Sequence, residues 1–233
     1  MNERFSRTEL LITEEKANLL KNKRVAIFGV GGVGGYIAEA LARCGIGNID
    51  LIDGDKVNAT NINRQIIALT STIGKPKVEV MRDRILDINP QANVKTYEVF
   101  YNKENSNTFN FKDYDYIADA IDMISAKLDL IVNAKMNQIP IISAMGAGNK
   151  LDPTMFQVSD IYETEICPLA RVMRKELRKR NIDSLKVVYS KEESAKSITF
   201  EEGITKPISG SISFVPSVMG LIMAGEIIKD LIK

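Results

Sequence analysis

Residues 24–53 read "RVAIFGVGGVGGYIAEALARCGIGNIDLID", with a glycine-rich segment after the first of two apolar runs. Its apolar run at 24–29 predicts a buried strand, residues 33–43 predict a helix, and residues 48–53 predict a second strand. The same alternation continues with predicted helices at 75–88 and 125–137 and predicted strands at 93–100, 114–121 and 139–145. Such alternation implies a mainly parallel sheet with helices on both faces. The sequence therefore predicts a Rossmann-like, doubly wound α/β fold.

Four glycines lie between the first predicted strand and the helix, in the pattern G-x-G-G-x-G: Gly29, Gly31, Gly32 and Gly34. Glycine at such a turn lets phosphate oxygens approach the free N–H groups at the helix N-terminus. Asp53 ends the second strand, where its carboxylate is suited to accept hydrogen bonds from ribose hydroxyls. The alternative is a turn that serves only close helix–strand packing. With strand, helix and acid all in place, the stretch favours a nucleotide site.

Beyond residue 150 the pattern is less regular. Residues 155–161 predict a strand and residues 168–180 a charged helix, while residues 190–210 hold few large apolar residues and predict a mobile loop. Residues 211–233 predict a last strand followed by an apolar helix. That apolar run is short and ends in charges, so a buried core helix is favoured over a membrane span.

Length and composition indicate a cytoplasmic globular protein. The 233 residues are 45% hydrophobic and 26% charged, with a formal net charge of +1, which is ordinary for a soluble domain. We expect one domain over 1–233, with a nucleotide-binding core at 1–150 and a substrate-facing part at 151–233. No apolar run approaches a membrane span, and the N-terminus lacks the apolar region of a signal peptide, so no membrane partner is expected.

Two residue types are scarce enough to limit the chemistry. There is no histidine, so the usual general base at neutral pH is missing. The two cysteines, Cys44 and Cys167, are too few for a four-cysteine zinc site. Any reaction must therefore use carboxylates, lysine, arginine, asparagine, backbone groups, a bound ion or one thiol.

The residues after Asp53 predict ATP rather than a nicotinamide dinucleotide. Asn61, Arg64 and Gln65 fall in one short segment, and Lys77 opens the next predicted helix. ATP carries more charge than a dinucleotide, and attack at its α-phosphate needs cations that stabilise the departing pyrophosphate. Taken singly, these residues would be solvated surface groups. Together with the glycine turn they predict a polyphosphate clamp.

Five segments in this order resemble the ThiF/MoeB/HesA superfamily, the bacterial relatives of ubiquitin-activating enzymes: "GVGGVG", "LIDGD", "NATNINRQ", "IGKPKVE" and "DAIDMISAK". Proteins of that superfamily activate a carboxylate by transferring AMP to it. The resemblance implies that Asp53 holds the ribose, that the phosphates are held by Asn61, Arg64, Gln65 and Lys77, and that Asp122 positions magnesium near the pyrophosphate. It thereby implies catalytic roles for Arg64, Lys77 and Asp122.

The N-terminal segment "RFSR" is similar to an R-Y-x-R segment of the same superfamily. The last arginine of that segment enters a neighbouring subunit's site. The resemblance therefore implies a homodimer in which Arg7 contributes to the partner's nucleotide site, and an ordinary surface arginine is the alternative.

Two branches of the superfamily offer alternative functions for this chain. The ThiF and MoeB branches adenylate the C-terminus of a ubiquitin-like sulfur carrier and commonly carry paired C-x-x-C zinc ligands, which this chain lacks. Four segments instead resemble the tRNA threonylcarbamoyladenosine dehydratases: "ALARCGIGNIDLID", "ILDINP", "AMGAGNKLDPT" and "CPLARVMRKELRKR". This resemblance implies ATP-dependent ring closure of the modified adenosine through an adenylated carboxylate. A carrier-protein adenylyltransferase is the alternative, and a scaffold serving a cysteine desulfurase or sulfur relay is a third reading.

A basic run, "RVMRKELRKR" at 171–180, bears on the tRNA hypothesis. Helical spacing puts four of its side chains on one face, namely Arg171, Arg174, Lys175 and Arg178. Such a stripe attracts phosphate backbones through counterion release, whereas a solvated helix face is the alternative. Because no aromatic residue interleaves the run, base recognition by this helix is not expected.

The thiol of Cys167 precedes Pro168, a residue favoured in the first turn of a helix. A thiol beside a helix N-terminus and positive charge has a lowered pKa, which would suit an acyl acceptor. We favour a packing role, because intramolecular ring closure requires no covalent relay. Cys44 is expected to pack within its helix.

Overall fold

A computed structural model describes residues 3–195 and 209–233 of the chain. In them, a single sheet follows the order β3-β2-β1-β4-β5-β7-β6. Its strands are β1 Arg24–Phe28, β2 Asn48–Ile52, β3 Asn93–Tyr97, β4 Tyr116–Asp119, β5 Ile141–Ala144, β6 Phe156–Asp160 and β7 Lys186–Ser190. All pairings are parallel except that of β6 with β7. The predicted Rossmann-like fold with a mainly parallel sheet is confirmed.

The helices pack on both faces of this sheet. They are α1 Ser6–Ile12, α2 Glu14–Asn22, α3 Gly34–Arg43, α4 Lys77–Ile88, α5 Ile124–Met136, α6 Pro168–Arg178 and α7 Phe214–Leu231. Side chains of α3, α4 and α7 share one buried apolar cluster, whereas those of α5 and α6 belong to a second. Strand β1 contributes side chains to both clusters. Val25 and Ile27 belong to the first cluster, and Ala26 and Phe28 belong to the second.

The last helix, α7, lies in the core. Its buried face, which includes Met219, Met223 and Ile227, packs in the same cluster as α3. In the described part of the chain, no helix is long and apolar enough to cross a membrane. The interpretation of this apolar run as a core helix is therefore confirmed.

The C-terminal third differs from prediction in two places. The strand predicted before α7 is wrong: residues 211–213 are not in a strand, and α7 begins at Phe214. The alternating "SISF" looks like a strand but leads into a helix with Pro216 in its first turn, a position that proline favours. A strand that was not predicted, β7, is instead inserted between β5 and β6. Of the loop predicted at 190–210, residues 196–208 lie outside the described residues.

A fully buried ion pair links β4, β5 and α5. The Lys127 ammonium lies 2.7 Å from Asp119 Oδ2, and neither residue is exposed to solvent. It also donates to Ser143 Oγ at 3.1 Å and to the Ala144 carbonyl at 3.0 Å. The other carboxylate oxygen of Asp119 accepts from the Ile121 N–H at 3.1 Å. The cluster therefore fixes the C-terminal ends of both strands and the first turn beyond β4.

Removing the ammonium should leave the Asp119 charge buried without its cation. We expect Lys127→Met to lower the free energy of unfolding by about 3–5 kcal/mol, because an uncompensated buried charge is that costly. Urea denaturation followed by circular dichroism measures the change. The control is Lys135→Met on the same helix. Within residues 3–195 and 209–233 its Nζ donates only to Ser184 Oγ, and a change within about 0.5 kcal/mol is expected. Equal stability of the two variants would contradict this account.

Candidate nucleotide-binding site

A cavity of about 530 Å³ lies beyond the C-terminal ends of β1, β4 and β5. This is the edge at which doubly wound sheets bind ligands. The backbone of Gly31 and Gly32 forms one side. The charged and amide side chains that line it are Asp55, Asn61, Arg64, Gln65, Lys77 and Asp122. The structure thus brings together most of the residues that the sequence assigned to a phosphate clamp.

The four glycines of the turn divide into two pairs. Gly29 has a φ of 90°, and a Cβ there would lie 2.5 Å from the Ala120 carbonyl oxygen. A Cβ on Gly34 would lie 1.7 Å from the carbonyl oxygen of Gly29. Gly29 allows the turn to pack against the end of β4, and Gly34 allows the start of α3 to pack against the turn. The other two face the cavity, and a Cβ on Gly31 would meet nothing closer than Gln65 Nε2 at 3.8 Å.

Asp53 holds the turn in place. One of its carboxylate oxygens accepts from the Val30 N–H at 2.7 Å and the other from the Asp55 N–H at 2.8 Å. Burial raises the pKa of Asp53, and the nearby Lys77 ammonium opposes that rise. The carboxylate is not among the groups that line the cavity. Contact with a ribose therefore stays a prediction, while the bond to the glycine turn is direct.

The two cations of the cavity are already engaged with protein acceptors. Lys77, the first residue of α4, is 5% exposed, and its Nζ lies 2.7 Å from Asp55 Oδ2. The half-buried Arg64 guanidinium donates to the Thr60 carbonyl at 3.0 Å and to Asn63 Oδ1 at 2.9 Å. Both positive groups face the space in front of Gly31 and Gly32, as a polyphosphate requires.

The two amide side chains differ in how they are held. Asn61 Oδ1 accepts from the Asn58 N–H at 3.1 Å, which closes the short turn before Arg64. Gln65 is 6% exposed, and its Oε1 is buried without a hydrogen-bond partner. Among the described side chains, only Glu9 shares this property. An unpartnered buried polar atom beside a cavity is typical of a binding site, because leaving it unpaired costs stability.

Asp122 follows β4 and reaches the cavity as an exposed carboxylate. No group of three or more histidine, cysteine, aspartate or glutamate side chains is placed to hold a metal in residues 3–195 and 209–233. Magnesium does not need such a group, since it is usually bound through one or two carboxylates together with substrate phosphates. Asp122 therefore fits a nucleotide-borne magnesium ion, but not a metal site made by protein alone.

Arg7 lies apart from this cavity. It is exposed on α1 and is not among the lining residues of its own chain. A role for Arg7 in a nucleotide site would require a second copy of the chain.

The four basic residues of α6 do not form one free face. Arg171, Lys175 and Arg178 are exposed. The half-buried Arg174 instead donates to both the carbonyl oxygen and the hydroxyl of Thr164, with 2.8 Å to the carbonyl. Arg174 therefore ties the helix to the preceding turn, which corrects its expected place in a solvent-facing stripe. The N-terminal turn of α6 reaches the cavity through Leu169.

Cys167 lies just behind the cavity wall. The residue is 2% exposed and belongs to the apolar cluster of α5 and α6. A Cβ on Gly146, which lines the cavity, would be 3.9 Å from its Sγ. This burial supports the packing interpretation. Cys44 is half-buried, and burial raises the pKa of its thiol.

Several parts of the site were not predicted, among them Asp55, Leu169 and residues 209–211. The loop 145–148 after β5 also lines the cavity, and its sequence signal is the "GAG" that follows a predicted strand. The buried pair of Asp119 and Lys127 supports the loop that carries Asp122. The sequence signal for this pair is Lys127, a lysine within the otherwise apolar face of the helix predicted at 125–137.

Comparisons with known proteins agree with this geometry. Residues 5–233 match the ThiF family. A tRNA threonylcarbamoyladenosine dehydratase of Bacillus subtilis is 44% identical over 247 aligned residues, which cover 100% of this chain and 96% of that protein.

Two crystal structures of Escherichia coli tRNA N6-threonylcarbamoyladenosine dehydratase, TcdA, share the fold. One is a complex with ATP and the other a complex with AMP, and each is 35% identical with a TM-score of 0.89. The alignments cover 98% of this chain and 93% and 94% of those chains. Since the family match spans nearly the whole sequence and the geometry is that of a nucleotide site, the chain belongs to the ThiF family.

Proposed function

We propose that the chain catalyses the ATP-dependent dehydration of threonylcarbamoyladenosine in tRNA. The observation that carries this proposal is the cavity in which Arg64, Lys77 and Asp122 face the glycine turn. It is supported by the relatives above, one of which spans almost the same length, and by the ATP and AMP complexes of another. The tRNA substrate is carried over from the names of these enzymes.

The reaction follows from the poor reactivity of a carboxylate. A carboxylate oxygen of the threonyl group attacks the α-phosphorus of ATP, and pyrophosphate leaves. The acyl-adenylate that results has AMP as its leaving group. An atom of the neighbouring urea then attacks the acyl carbon, AMP departs with the former carboxylate oxygen, and a urea N–H proton is released to water. The ring thus closes with the net loss of one water from the substrate. Because nucleophile and electrophile are tethered, the second step gains a large effective molarity.

The side chains of the cavity have distinct parts in this scheme. Lys77 and Arg64 neutralise the phosphate oxygens as charge builds on the departing pyrophosphate. Gly31 and Gly32 let the phosphates reach backbone N–H groups, while Asn61 and Gln65 add polar contacts. Asp53 accepts from the ribose while it holds the turn. When bound, magnesium supplies further positive charge at the phosphates, and Asp122 is the residue that would hold it.

The assembly is also proposed. In a homodimer, Arg7 on the exposed surface of α1 would add a cation to the partner's cavity. The exposed residues of α6, Arg171, Lys175 and Arg178, would contact tRNA phosphates. A cysteine desulfurase or sulfur-relay protein is a further candidate partner. We expect a cytoplasmic location, where tRNA is modified.

The clamp makes a prediction about ligand choice. ATP with magnesium should bind in calorimetry, whereas NAD should bind weakly or not at all, because two cations face the phosphates. Lys77→Met should weaken ATP binding and Asp122→Asn should mainly slow adenylation. Lys175→Met, outside the cavity, is the matched control and should bind ATP normally. Tight NAD binding without ATP binding would overturn the assignment.

The substrate is tested by mass spectrometry of nucleosides. After incubation with ATP, magnesium and total bacterial tRNA, threonylcarbamoyladenosine should lose the mass of one water, provided work-up avoids hydrolysis of the ring. Unaltered tRNA together with AMP attached to a small carrier ending in Gly-Gly would establish the ThiF/MoeB-type alternative. If neither product forms with ATP-binding protein, the scaffold reading is favoured.

A packing role for Cys167 has its own consequence. Cys167→Ala should retain most of its single-turnover activity, because ring closure is intramolecular. Thermal denaturation first verifies that the variant is folded, since the side chain is buried. A loss on the order of a thousandfold or more in the folded variant would favour a covalent acyl relay.

A further inference from the structure

A second cavity, of about 490 Å³, opens beside the C-terminal end of α6. It is lined by Tyr162, Arg178, Asn181, Ile182 and Asp183. Nothing in the adenylation scheme uses these residues. It is a shallow depression that is open to solvent.

The floor of this cavity is a cation–aromatic pair. The Arg178 guanidinium carbon lies 5.1 Å from the centroid of the Tyr162 ring. Two hydrogen bonds hold Tyr162 in place. Its hydroxyl donates to the Ile182 carbonyl, and its backbone N–H donates to Asp160 Oδ1 at 2.9 Å. The basic run has no aromatic residue of its own, but the fold supplies one from outside it. This removes the reason for excluding base contact by α6.

The charges around the cavity suit a neutral planar group better than a phosphate. Asp183 adds a negative charge to the wall, which would repel a phosphate. Asn181 offers both a donor and acceptors, and Asp183 offers acceptors, to the edge of a nucleobase. Arg171 and Lys175 are also exposed, but they lie outside this cavity, nearer the N-terminal end of α6.

Both cavities are lined by residues of α6. Leu169 lines the ATP cavity and Arg178 lines the second one. These residues are nine positions apart, which corresponds to about 14 Å along the helix axis and about two and a half turns, so they lie on opposite sides of the helix. An RNA that occupies both cavities would therefore pass around α6.

We propose that Tyr162 and Arg178 form a stacking site for an unstacked nucleobase of the tRNA substrate. The site rests on the proposed tRNA substrate and adds a contact that depends on a planar group rather than on charge. Proteins that recognise RNA loops commonly stack splayed bases on aromatic rings or guanidinium planes. Arg171 and Lys175, which precede Arg178 on the same helix, contact phosphates on that side of the base.

The test separates stacking from charge. Affinity for fluorescently labelled tRNA is measured by anisotropy at several salt concentrations for R178K, R178A, Y162L and Y162F. Because lysine keeps the charge but has no plane, R178K should lose roughly tenfold in affinity, close to R178A. Y162L should lose a similar factor and Y162F much less. K175A is the matched phosphate-contact control and should reduce the salt slope by about one, whereas R178K should leave the slope unchanged.

Each outcome decides between two explanations. If R178K binds tRNA as well as the original protein while R178A matches K175A, Arg178 is a phosphate contact and the stacking site is refuted. If neither Arg178 variant changes affinity, the helix end does not touch tRNA, and the site is again refuted. Both results leave the dehydratase proposal standing as long as the unaltered protein converts tRNA. If the unaltered protein neither binds nor converts tRNA, both proposals fail. ATP affinity and thermal midpoint serve as folding controls.

Discussion

The ammonium group of Lys127 lies wholly out of water, and its hydrogen bonds to three acceptors, on Asp119, Ser143 and the Ala144 carbonyl, join β4 and β5 beside the cavity. A buried charge of this kind is tolerated only when every partner is in place. The two loops that follow these strands, one with Asp122 and one at 145–148, therefore start from fixed points. Preorganised ends of this kind let the cavity hold its charged groups without the help of a ligand.

The electrostatic design of the cavity distinguishes it from a dinucleotide site on the same fold. The glycine turn and Asp53 are shared features of nucleotide-binding α/β proteins and give no information about ligand charge. We propose that the choice depends on Arg64 and Lys77, which come from the segment after β2 and the start of α4. In the proposed reaction a chain without histidine would use these groups, because adenylation needs stabilised phosphate charge more than a proton acceptor.

Much of the fold, and the grouping of polar residues around one cavity, could be predicted from the sequence, because both depend on local patterns. Alternating apolar runs located β1 to β6, and residues at strand ends fell at one edge of the sheet as expected. Two kinds of feature could not be predicted from the sequence. The short "KVVYS" of β7 becomes a strand only through its neighbours β5 and β6, and the "SISF" alternation was overridden by the packing of α7.

The other kind is contact between residues distant in sequence. The bond of Arg174 to Thr164 and the approach of Arg178 to Tyr162 are set by how α6 lies on the preceding turn. Helical spacing alone put all four basic residues on one solvent-facing stripe, since it carries no information about what lies beneath them. The pairing of Lys127 with Asp119 is similar, because a charged residue on an apolar helix face shows only that a partner is needed.

The pair formed by Lys77 and Asp55 has a consequence for selectivity. The Asp55 side chain is 52% exposed, yet its carboxylate lies 2.7 Å from the buried ammonium and so acts as a built-in counter-ion. A ligand with a single weak charge gains little by replacing a carboxylate that is already in contact. A triphosphate brings several charges at once and lets Asp55 return to water at low cost, since most of that side chain is already hydrated. The ion pair therefore disfavours anions with a single charge at Lys77 and favours a polyphosphate.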